Sequence, residues 1–378
     1  MLHHISKLTP HMTIGIDARA ATEVAAGRGR VVRELLRALA RRHDEHRYVL
    51  YAREVWSDPA LESDGGLDER FWWKLIDARN PFWHLLAARA GSRECDVFLS
   101  ANSYLTTWFT RIPSVLLVYD LVTFDRALQP NRNSALIERI TLPHATRRAA
   151  GFLAISQATA DALIERFPAA AGRTAVALLG TTPALSRDLD PAEAATLPPR
   201  GFVLSVGTLE PRKNLPRLVA AFQGLDEELR RAHPLVVVGA VGWQTGETLE
   251  ALRSLGDGCV MLGHVSDAAL AELYRRCAVF CYPSLGEGFG LPVLEAMAAG
   301  AAVLTSNTSS LPEVGGDAVA YADPYDVEGI RAQIADLLAS PERRAELGER
   351  ARERARQFSW ERFAEGTLET LERAARAG

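Results

Sequence analysis

Short apolar runs rich in β-branched residues alternate along this chain with segments of helical periodicity. Alternation of this kind predicts parallel sheets with helices packed against both faces. The predicted strands fall into two series, one in each half of the chain. The first contains residues 13–16, 48–51, 97–100, 115–119 and 152–155, and the second contains 202–206, 235–238, 260–262, 279–282, 302–305 and 319–321.

A stretch rich in Pro and Ala, residues 181–199, separates the two series and has no strong periodicity. We interpret it as the linker between two doubly wound α/β domains, residues 1–183 and 184–357. The length supports two domains, because 378 residues exceed what one hydrophobic core usually holds. In such sheets the ligand lies beyond the carboxyl ends of the strands, so the predicted site is the cleft between the domains.

The composition, with 48% hydrophobic and 24% charged residues, is typical of a large enzyme. No apolar run reaches the length of a membrane span and the first residues lack a signal peptide's apolar core, so we expect a cytoplasmic protein. A net charge of −4 gives no indication of nucleic-acid binding. Neither a C-x-x-C pair nor a histidine cluster accompanies the four cysteines, which argues against a zinc site or disulfide scaffold: Cys95, Cys259, Cys277 and Cys281.

A glycine-rich turn follows the fourth predicted strand of the second series and leads into a helix. Gly288 and Gly290 permit a sharp turn and a close approach of the backbone to a ligand. Pro292 suits the first turn of a helix that ends near Ala299, with Gly300 as its stop. The N–H groups at such a helix start, with the positive end of the helix dipole, form a ready site for phosphate or for sugar hydroxyl oxygens.

Two carboxylates bracket this turn, Glu287 in the loop and Glu295 about one turn into the helix. A carboxylate accepts two hydrogen bonds from a vicinal diol, so the pair could hold two sugars, for instance a transferred hexose and a nucleotide ribose. The alternative is that both residues only suit the positive end of the helix dipole. The residues alone leave these two interpretations equally open.

Two adjacent cations, Arg212 and Lys213, lie in a turn after the first predicted strand of the second domain. They could hold a diphosphate, whose negative charge increases when a glycosyl bond to it breaks. The alternative, favoured when the residues are taken alone, is an ordinary solvated loop, since exposed Lys and Arg are the common case.

A family signature is found in residues 282–300, Tyr-Pro-Ser-Leu-Gly-Glu-Gly-Phe-Gly-Leu-Pro-Val-Leu-Glu-Ala-Met-Ala-Ala-Gly, followed by Ser-Asn-Thr-Ser-Ser-Leu-Pro-Glu-Val-Gly at 306–315. These stretches resemble the E-x7-E signature of the retaining GT-B glycosyltransferases of family 4, in their mannosyltransferase-like subgroup. Further landmarks run from Ile14 to Trp360, so the resemblance covers nearly the whole chain. It implies two Rossmann-like domains facing across a cleft, and a final helix, about 358–378, that crosses back to the first domain.

The resemblance also implies residue roles. Glu287 would position the hydroxyls of the donor sugar and Glu295 would hold the ribose. Arg212 and Lys213 would hold the departing diphosphate, and Arg212 would replace the arginine that the family usually has at the position of Thr208. Further donor contacts are implied for Gly27, Gly29, Val265, Gly288, Phe289, Gly290 and Leu291, with Trp243 shaping a neighbouring wall.

One position departs from the family pattern. Many members have His-Asp after the strand 115–119, where this chain has Tyr119 and Asp120. Tyrosine can donate a hydrogen bond to a sugar but cannot carry a proton near neutral pH as imidazole does. We therefore expect a slower enzyme or a different donor sugar, with Asp120 orienting the acceptor or the loop.

Arg30, Arg33, Arg37 and Arg41 recur at three- and four-residue spacing and so share one helix face. A solvated face is the favoured interpretation. The alternative is a weak peripheral contact with anionic lipid headgroups or a lipid-pyrophosphate acceptor, at the inner face of a membrane. The pair Asp188 and Asp190 resembles a D-x-D metal motif, but it lies in the predicted linker, so we interpret it as chance.

The predicted function is transfer of a hexosyl unit from a nucleotide diphosphate sugar to a hydroxyl acceptor, with retention at the anomeric carbon. GDP-mannose is the first expected donor, followed by UDP-glucose and other hexoses, and the acceptor is a saccharide or lipid-linked saccharide in polysaccharide, O-antigen or glycolipid assembly. No cofactor and no divalent metal are expected. Two alternatives remain: a catalytically weak scaffold that binds sugar nucleotides, and a GT-B epimerase or phosphorylase, against which Glu287 and Glu295 argue.

Overall fold

The computed structural model describes residues 11–24, 27–57, 66–125, 128, 132–181 and 189–377, and of residues 132–134 only the backbone. Two separate parallel sheets form the framework. The seven-stranded sheet consists of β1 (Thr13–Asp17), β2 (Arg47–Ala52), β3 (Phe71–Leu75), β4 (Val97–Ser100), β5 (Ser114–Val118), β6 (Gly151–Ala154) and β7 (Thr174–Val176). The six-stranded sheet consists of β8 (Val203–Val206), β9 (Leu235–Val238), β10 (Cys259–Gly263), β11 (Val279–Tyr282), β12 (Val303–Ser306) and β13 (Ala320–Ala322).

Both sheets are doubly wound, because in each the strand order reverses direction about the first strand. The orders are β3-β2-β1-β4-β5-β6-β7 and β10-β9-β8-β11-β12-β13, and all of the pairings are parallel. The predicted fold class, two Rossmann-like α/β domains, is therefore confirmed. The predicted boundary between residues 183 and 184 lies outside the described residues.

Helices connect the strands and cover the sheets. Those that follow strands of the first sheet are Ala20–Glu23, Arg28–Arg41, Phe82–Glu94, Thr106–Phe109, Arg132–Arg148 and Gln157–Arg166. Those of the second half are Pro191–Thr196, Leu215–Gln223, Glu227–Ala232, Gly246–Arg253, Asp267–Arg276, Leu291–Ala299, Leu311–Gly315, Val327–Ala339 and Pro341–Ala355, before the final helix Trp360–Ala377.

The final helix packs on the first sheet, although it follows the second sheet in the chain. Phe363, Leu368 and Leu371 are buried, and the helix contacts β4, β5 and β6. One apolar cluster includes residues of both sheets and of this helix. Among the described residues, no helix combines the length and the apolar character needed to cross a bilayer.

Every predicted strand is present, but β3 and β7 were not predicted. Both are edge strands. In β3, Trp72 and Leu75 are exposed, and β7 has only three residues, all partly exposed. Neither presents the continuous apolar run by which a strand buried on both faces is recognised.

Candidate functional site

The loops at the carboxyl ends of the central strands of both sheets face one another. Tyr119 and Asp120 follow β5, and Ser156 follows shortly after β6. From the other side, Arg212 and Lys213 follow β8, while residues 284–290 follow β11. Direct hydrogen bonds join the two sides, such as the one from the Ser156 hydroxyl to the Gly288 carbonyl, 2.6 Å. The predicted residues that follow β5, β8 and β11 are thus brought together in one cleft.

The glycine turn and its helix form as predicted. The helix is Leu291–Ala299, with Gly290 at its N-cap in a left-handed conformation, φ 105°, and Gly300 at its C-cap with φ 77°. Within the described part of the chain, the N–H groups of residues 288–291 donate to no acceptor. They therefore remain available for an anion at the positive end of the helix.

Glu287 is the centre of a buried polar network. Its carboxylate forms an ion pair with Arg212, and its Oε1 lies 2.7 Å from the Lys213 ammonium. The hydroxyls of Tyr282 and Ser284 donate to the same oxygen at 2.9 and 2.6 Å. One carboxylate is therefore held in place by two cations and two hydroxyls.

These neighbours decide the charge of Glu287. Burial alone would raise its pKa, but the opposing fields of Arg212 and Lys213 lower that pKa to about 2. The carboxylate is consequently ionised across the physiological range, and it can accept hydrogen bonds but cannot donate a proton.

Arg212 and Lys213 are buried cations rather than a solvated loop. Their side chains are 17% and 12% exposed. Arg212 also pairs with Glu210 at 2.5 Å. Burial and the neighbouring Arg212 lower the pKa of Lys213 from its ordinary value. The interpretation of these residues as an ordinary exposed loop is wrong, because both side chains are largely shielded from water and contact Glu287.

Glu295 lies in a second polar cluster that spans both domains. Its carboxylate forms an ion pair with Arg30, from the helix Arg28–Arg41 of the first domain. The Tyr274 hydroxyl donates to its other oxygen at 3.1 Å, and Arg30 also lies 3.3 Å from Asp267. Burial raises the pKa of Glu295, against the opposing field of Arg30. The second carboxylate is thus set apart from the first, with its own cation.

The prediction that four arginines share one solvated or lipid-facing surface is wrong for Arg30, which the interdomain ion pair buries. Arg33 and Arg37 are partly buried and contact other groups of the protein, whereas Arg41 is exposed, as predicted for a solvated face. Arg33 donates to the carbonyls of Ala21 and Val24. Arg37 forms an ion pair with Glu34, and Arg41 lies 3.9 Å from the carboxylate of Glu361.

Tyr119 faces the cleft with its backbone rather than with a free hydroxyl. Its hydroxyl donates to the Ala101 carbonyl at 2.8 Å, so the proton expected to reach a donor sugar already has an acceptor. Burial raises the pKa of Tyr119, although Arg28 opposes the effect. Asp120 accepts from the Val122 N–H at 3.0 Å, which fixes the turn after β5.

The remaining predicted donor contacts divide into open and packed positions. Gly27 has φ 55° with open space around it, whereas a Cβ on Gly29 would lie 1.7 Å from the Val24 carbonyl. Gly29 is therefore packed against the segment that precedes its helix and leaves no room for a side chain, while its donor contact stays a prediction. Phe289 is buried against Phe358 and can offer a ligand only its backbone. Thr208 is exposed, and Val265 and Trp243 are partly exposed.

Several residues of this cleft were missed by sequence reasoning. Tyr282 lies at the end of a strand predicted from its apolar residues, and nothing in the sequence indicates that its hydroxyl contacts Glu287. Arg28 borders a cavity of about 150 Å³ that is also lined by Asn102, Tyr104, Ile137 and Glu138. The two domains are joined by hydrogen bonds of Ser156, Thr159 and Glu313. These bonds form only because two loops that are distant in the chain meet, so the sequence alone does not indicate them.

A metal site has no support from the described side chains, among which no group of three His, Cys, Asp or Glu residues gathers. Asp188 of the D-x-D pair lies outside the described residues. Asp190 accepts from the N–H of Ala192 and caps the short helix Pro191–Thr196. The four cysteines carry no disulfide, and Cys95 and Cys281 are buried.

Comparison with known proteins adds the family. The model for Glycosyltransferase Family 4 matches residues 25–185, and the model for Glycosyl transferases group 1 matches residues 187–354. The O-antigen chain mannosyltransferase B of Escherichia coli is 43% identical over 171 residues, which is 45% of this chain and 45% of that protein. The match thus spans about half the length of this curated relative.

Solved structures agree over nearly the whole chain. Sucrose-phosphate synthase from Thermosynechococcus elongatus has a TM-score of 0.73 at 21% identity, covering 97% of this chain and 100% of that chain. The Anabaena protein HepE, solved with UDP and glucose, has a TM-score of 0.72 at 17% identity over 96% and 99% of the two chains. At these identities the likeness shows the fold. Two consecutive family matches and this shared fold lead to one conclusion: the chain belongs to the group 1, family 4 glycosyltransferases, with the GT-B fold.

Proposed function

We propose that this protein transfers a hexosyl unit from a nucleoside diphosphate sugar to a hydroxyl group of a saccharide or lipid-linked saccharide, with retention at the anomeric carbon. The observation that carries the proposal is the Glu287 carboxylate, held ionised between Arg212 and Lys213 at the start of the helix Leu291–Ala299. This cluster offers hydrogen-bond acceptors to the hydroxyls of a sugar and hydrogen-bond donors to the oxygens of its diphosphate.

Each charged group has a distinct part in the proposed reaction. Glu287 accepts hydrogen bonds from the donor sugar, while Arg212, Lys213 and the N–H groups of residues 288–291 stabilise the charge that grows on the departing diphosphate. Two cations and a helix N-terminus can supply this stabilisation without a divalent metal. Glu295 accepts from the ribose, in a cluster separate from Glu287.

Retention is proposed through attack on the same face of the sugar. The acceptor oxygen forms its bond to the anomeric carbon as the bond to the diphosphate breaks, and the leaving phosphate oxygen takes the acceptor's proton. The pKa of Glu287 near 2 supports this route, since such a carboxylate is a poor base and serves better as a hydrogen-bond acceptor.

The donor is proposed to be GDP-mannose, on the strength of the identity with the O-antigen chain mannosyltransferase B over 171 residues. A calorimetric titration with GDP-mannose, UDP-glucose and other nucleotide sugars tests this, followed by turnover of each that binds. Tighter binding and faster turnover of GDP-mannose support the proposal. Preference for a uridine donor contradicts it, and binding without turnover of any donor favours the scaffold alternative.

The acceptor is proposed to be lipid-linked. The cavity beside Arg28 lies next to Tyr119, whose ring is 5.9 Å from the Arg28 guanidinium, and Ile137 lines it. On the same helix, Leu136, Ile137 and Ile140 are 57–60% exposed, so polar lining suited to a sugar continues into an apolar surface suited to its lipid. This surface replaces the arginine face as the proposed peripheral contact with a membrane.

Substitution of this apolar surface separates the two acceptor types. We expect Leu136→Ser with Ile140→Ser to lower turnover of a lipid-linked acceptor about tenfold and to leave a water-soluble acceptor saccharide unaffected. The matched control is Phe82→Ser with Leu86→Ser, which removes two exposed apolar side chains elsewhere on the same domain. Equal turnover of the lipid-linked acceptor in both double variants contradicts the proposal.

A further inference from the structure

The glycine loop of the second domain is held by hydroxyls of the first domain. The Gly288 carbonyl accepts from the Ser156 hydroxyl at 2.6 Å and from the Thr159 hydroxyl at 3.1 Å. Ser156 and Thr159 are buried, at 0% and 4% exposure. A backbone carbonyl that carries two buried hydrogen bonds from another domain is a specific anchor rather than a chance surface contact.

The approach of the two loops depends on the missing side chain of Gly288. A Cβ at this position would lie 1.8 Å from the Tyr119 carbonyl oxygen, so no other residue fits the closed arrangement. Gly288 therefore brings the loop that carries Glu287 against the end of β5, where Tyr119 and Asp120 lie.

Three consecutive carbonyls of the loop are fixed by hydroxyls. Ser310, from the loop's own domain, donates to the carbonyls of Glu287 and Phe289 at 3.0 and 2.9 Å, and the first domain supplies the partners of Gly288 between them. In a planar trans peptide the N–H points opposite to the C=O. The Gly288 carbonyl thus sets the direction of the Phe289 N–H, one of the groups proposed to stabilise the leaving diphosphate.

A second contact joins the same two segments. Glu313, from the helix Leu311–Gly315 of the second domain, accepts from the Gln157 N–H at 2.8 and 2.9 Å. Its carboxylate also accepts from the Ala158 N–H at 3.3 Å. The helix Gln157–Arg166 therefore has a carboxylate of the other domain at its positive end, where such charge is stabilising.

We propose that Ser156 and Thr159 are positioning residues for the transfer reaction, which complete the orientation of the donor loop when the two domains are closed. The proposal rests on the proposed function above. Closure by these residues turns the Phe289 N–H toward the departing diphosphate. An interaction that is complete only in the closed arrangement raises kcat rather than donor affinity.

Thr159 allows the cleanest test, because Ser156 also caps its helix by accepting from the Thr159 N–H. Thr159→Val removes the hydroxyl at nearly constant volume, and Thr159→Ser keeps it. The control is Thr146→Val, which removes another buried threonine hydroxyl, bonded within its own helix to Pro143. We expect kcat for transfer to fall about tenfold in Thr159→Val, with the donor KM changed less than twofold, and to recover in Thr159→Ser.

An unchanged kcat in Thr159→Val, or an equal loss in the Thr146→Val control, overturns the proposal. Small-angle scattering in the presence of nucleoside diphosphate gives a readout besides activity. Thr159→Val combined with Glu313→Gln should show a larger radius of gyration than the wild type, and an identical radius contradicts the role in closure. If the wild type turns over no donor, the proposed function fails, while the scattering result still decides whether these residues hold the domains closed.

Discussion

At the scale of single residues, the cleft is defined by the charge state of a few buried groups. Glu287 has a pKa near 2 because Arg212 and Lys213 outweigh its burial. A carboxyl whose pKa is lowered on folding contributes stability that is fully present above its ordinary value of 4.5 and is lost as pH falls through about 2. Glu287 thus remains ionised throughout the working range, whereas the lowered pKa of Lys213 makes its charge sensitive to alkaline pH.

Lys213 should impose an alkaline limit on activity. Burial and Arg212 lower its pKa below the ordinary 10.5, and the neutral amine cannot attract a diphosphate. We expect kcat/KM for the donor to decline at a pH below 10.5, since this ratio reports the groups of the free enzyme. In Lys213→Arg the decline should move to higher pH, because arginine stays charged. If kcat/KM declines at the same alkaline pH in the wild type and in Lys213→Arg, the decline is caused by another group.

At the scale of elements, a strand, a glycine turn and a helix build the second domain's side of the cleft. The helix Leu291–Ala299 begins and ends at glycines with positive φ, Gly290 and Gly300. The first allows the sharp entry into the helix, and the second ends the helix so that the chain can enter β12. Both conformations are costly for any residue with a Cβ.

Gly300→Ala should destabilise the protein by about 1–2 kcal/mol, the cost of a left-handed conformation for a residue with a Cβ. The added Cβ would also meet the Arg352 side chain, which must move. Gly246→Ala is the control, because Gly246 begins a helix with no atom within 4 Å of an added Cβ. Urea denaturation measures both, and equal midpoints for the two variants contradict the strain argument.

At the scale of the whole molecule, charged and hydroxyl groups hold the domains together across the cleft. Arg30 pairs with Glu295 and Asp267 of the other domain, and Glu313 pairs with the start of the helix Gln157–Arg166. The final helix, Trp360–Ala377, returns to the first sheet and provides a continuous apolar connection. The ion pairs can break when the domains separate, whereas the apolar connection is expected to persist.

Arg30→Gln should favour an open arrangement. It leaves the buried carboxylate of Glu295 without its cation, and breaking a buried pair in this way costs about 3–5 kcal/mol. Scattering without nucleotide should show a larger radius of gyration than the wild type. Arg231→Gln, which breaks an exposed pair with Glu227, is the control and should leave the radius unchanged. An unchanged radius in Arg30→Gln would show that the pair does not hold the domains together.

The sequence predicted the two parallel sheets and the glycine turn with its helix, because both depend on local signals. Buried strands give continuous apolar runs, and the helix after Gly290 has its proline and its terminal glycine. The burial of Arg212 and the ion pair of Arg30 could not be predicted, since both depend on side chains distant in the chain. Arg30 was assigned to a solvated face because helical spacing alone does not show which face meets another domain.

The contacts of Ser156 and Tyr119 follow the same rule. Ser156 is an ordinary helix cap in the sequence, and its second bond to Gly288 exists only because two loops of different domains meet. Tyr119 was expected to offer its hydroxyl to a sugar, but Ala101, 18 positions earlier in the chain, accepts that proton. Short-range patterns predict elements, whereas pairing across the cleft requires the assembled fold.

The role of the Glu287 carboxylate is tested most directly by the activity of Glu287→Gln, which keeps the size of the side chain and removes its charge. We expect transfer from the preferred nucleotide sugar to fall by about 10²–10³-fold, while calorimetry still detects binding of the nucleoside diphosphate. Glu328→Gln, a substitution of an exposed glutamate, should retain wild-type transfer. Wild-type turnover by Glu287→Gln would contradict the central role given to this carboxylate.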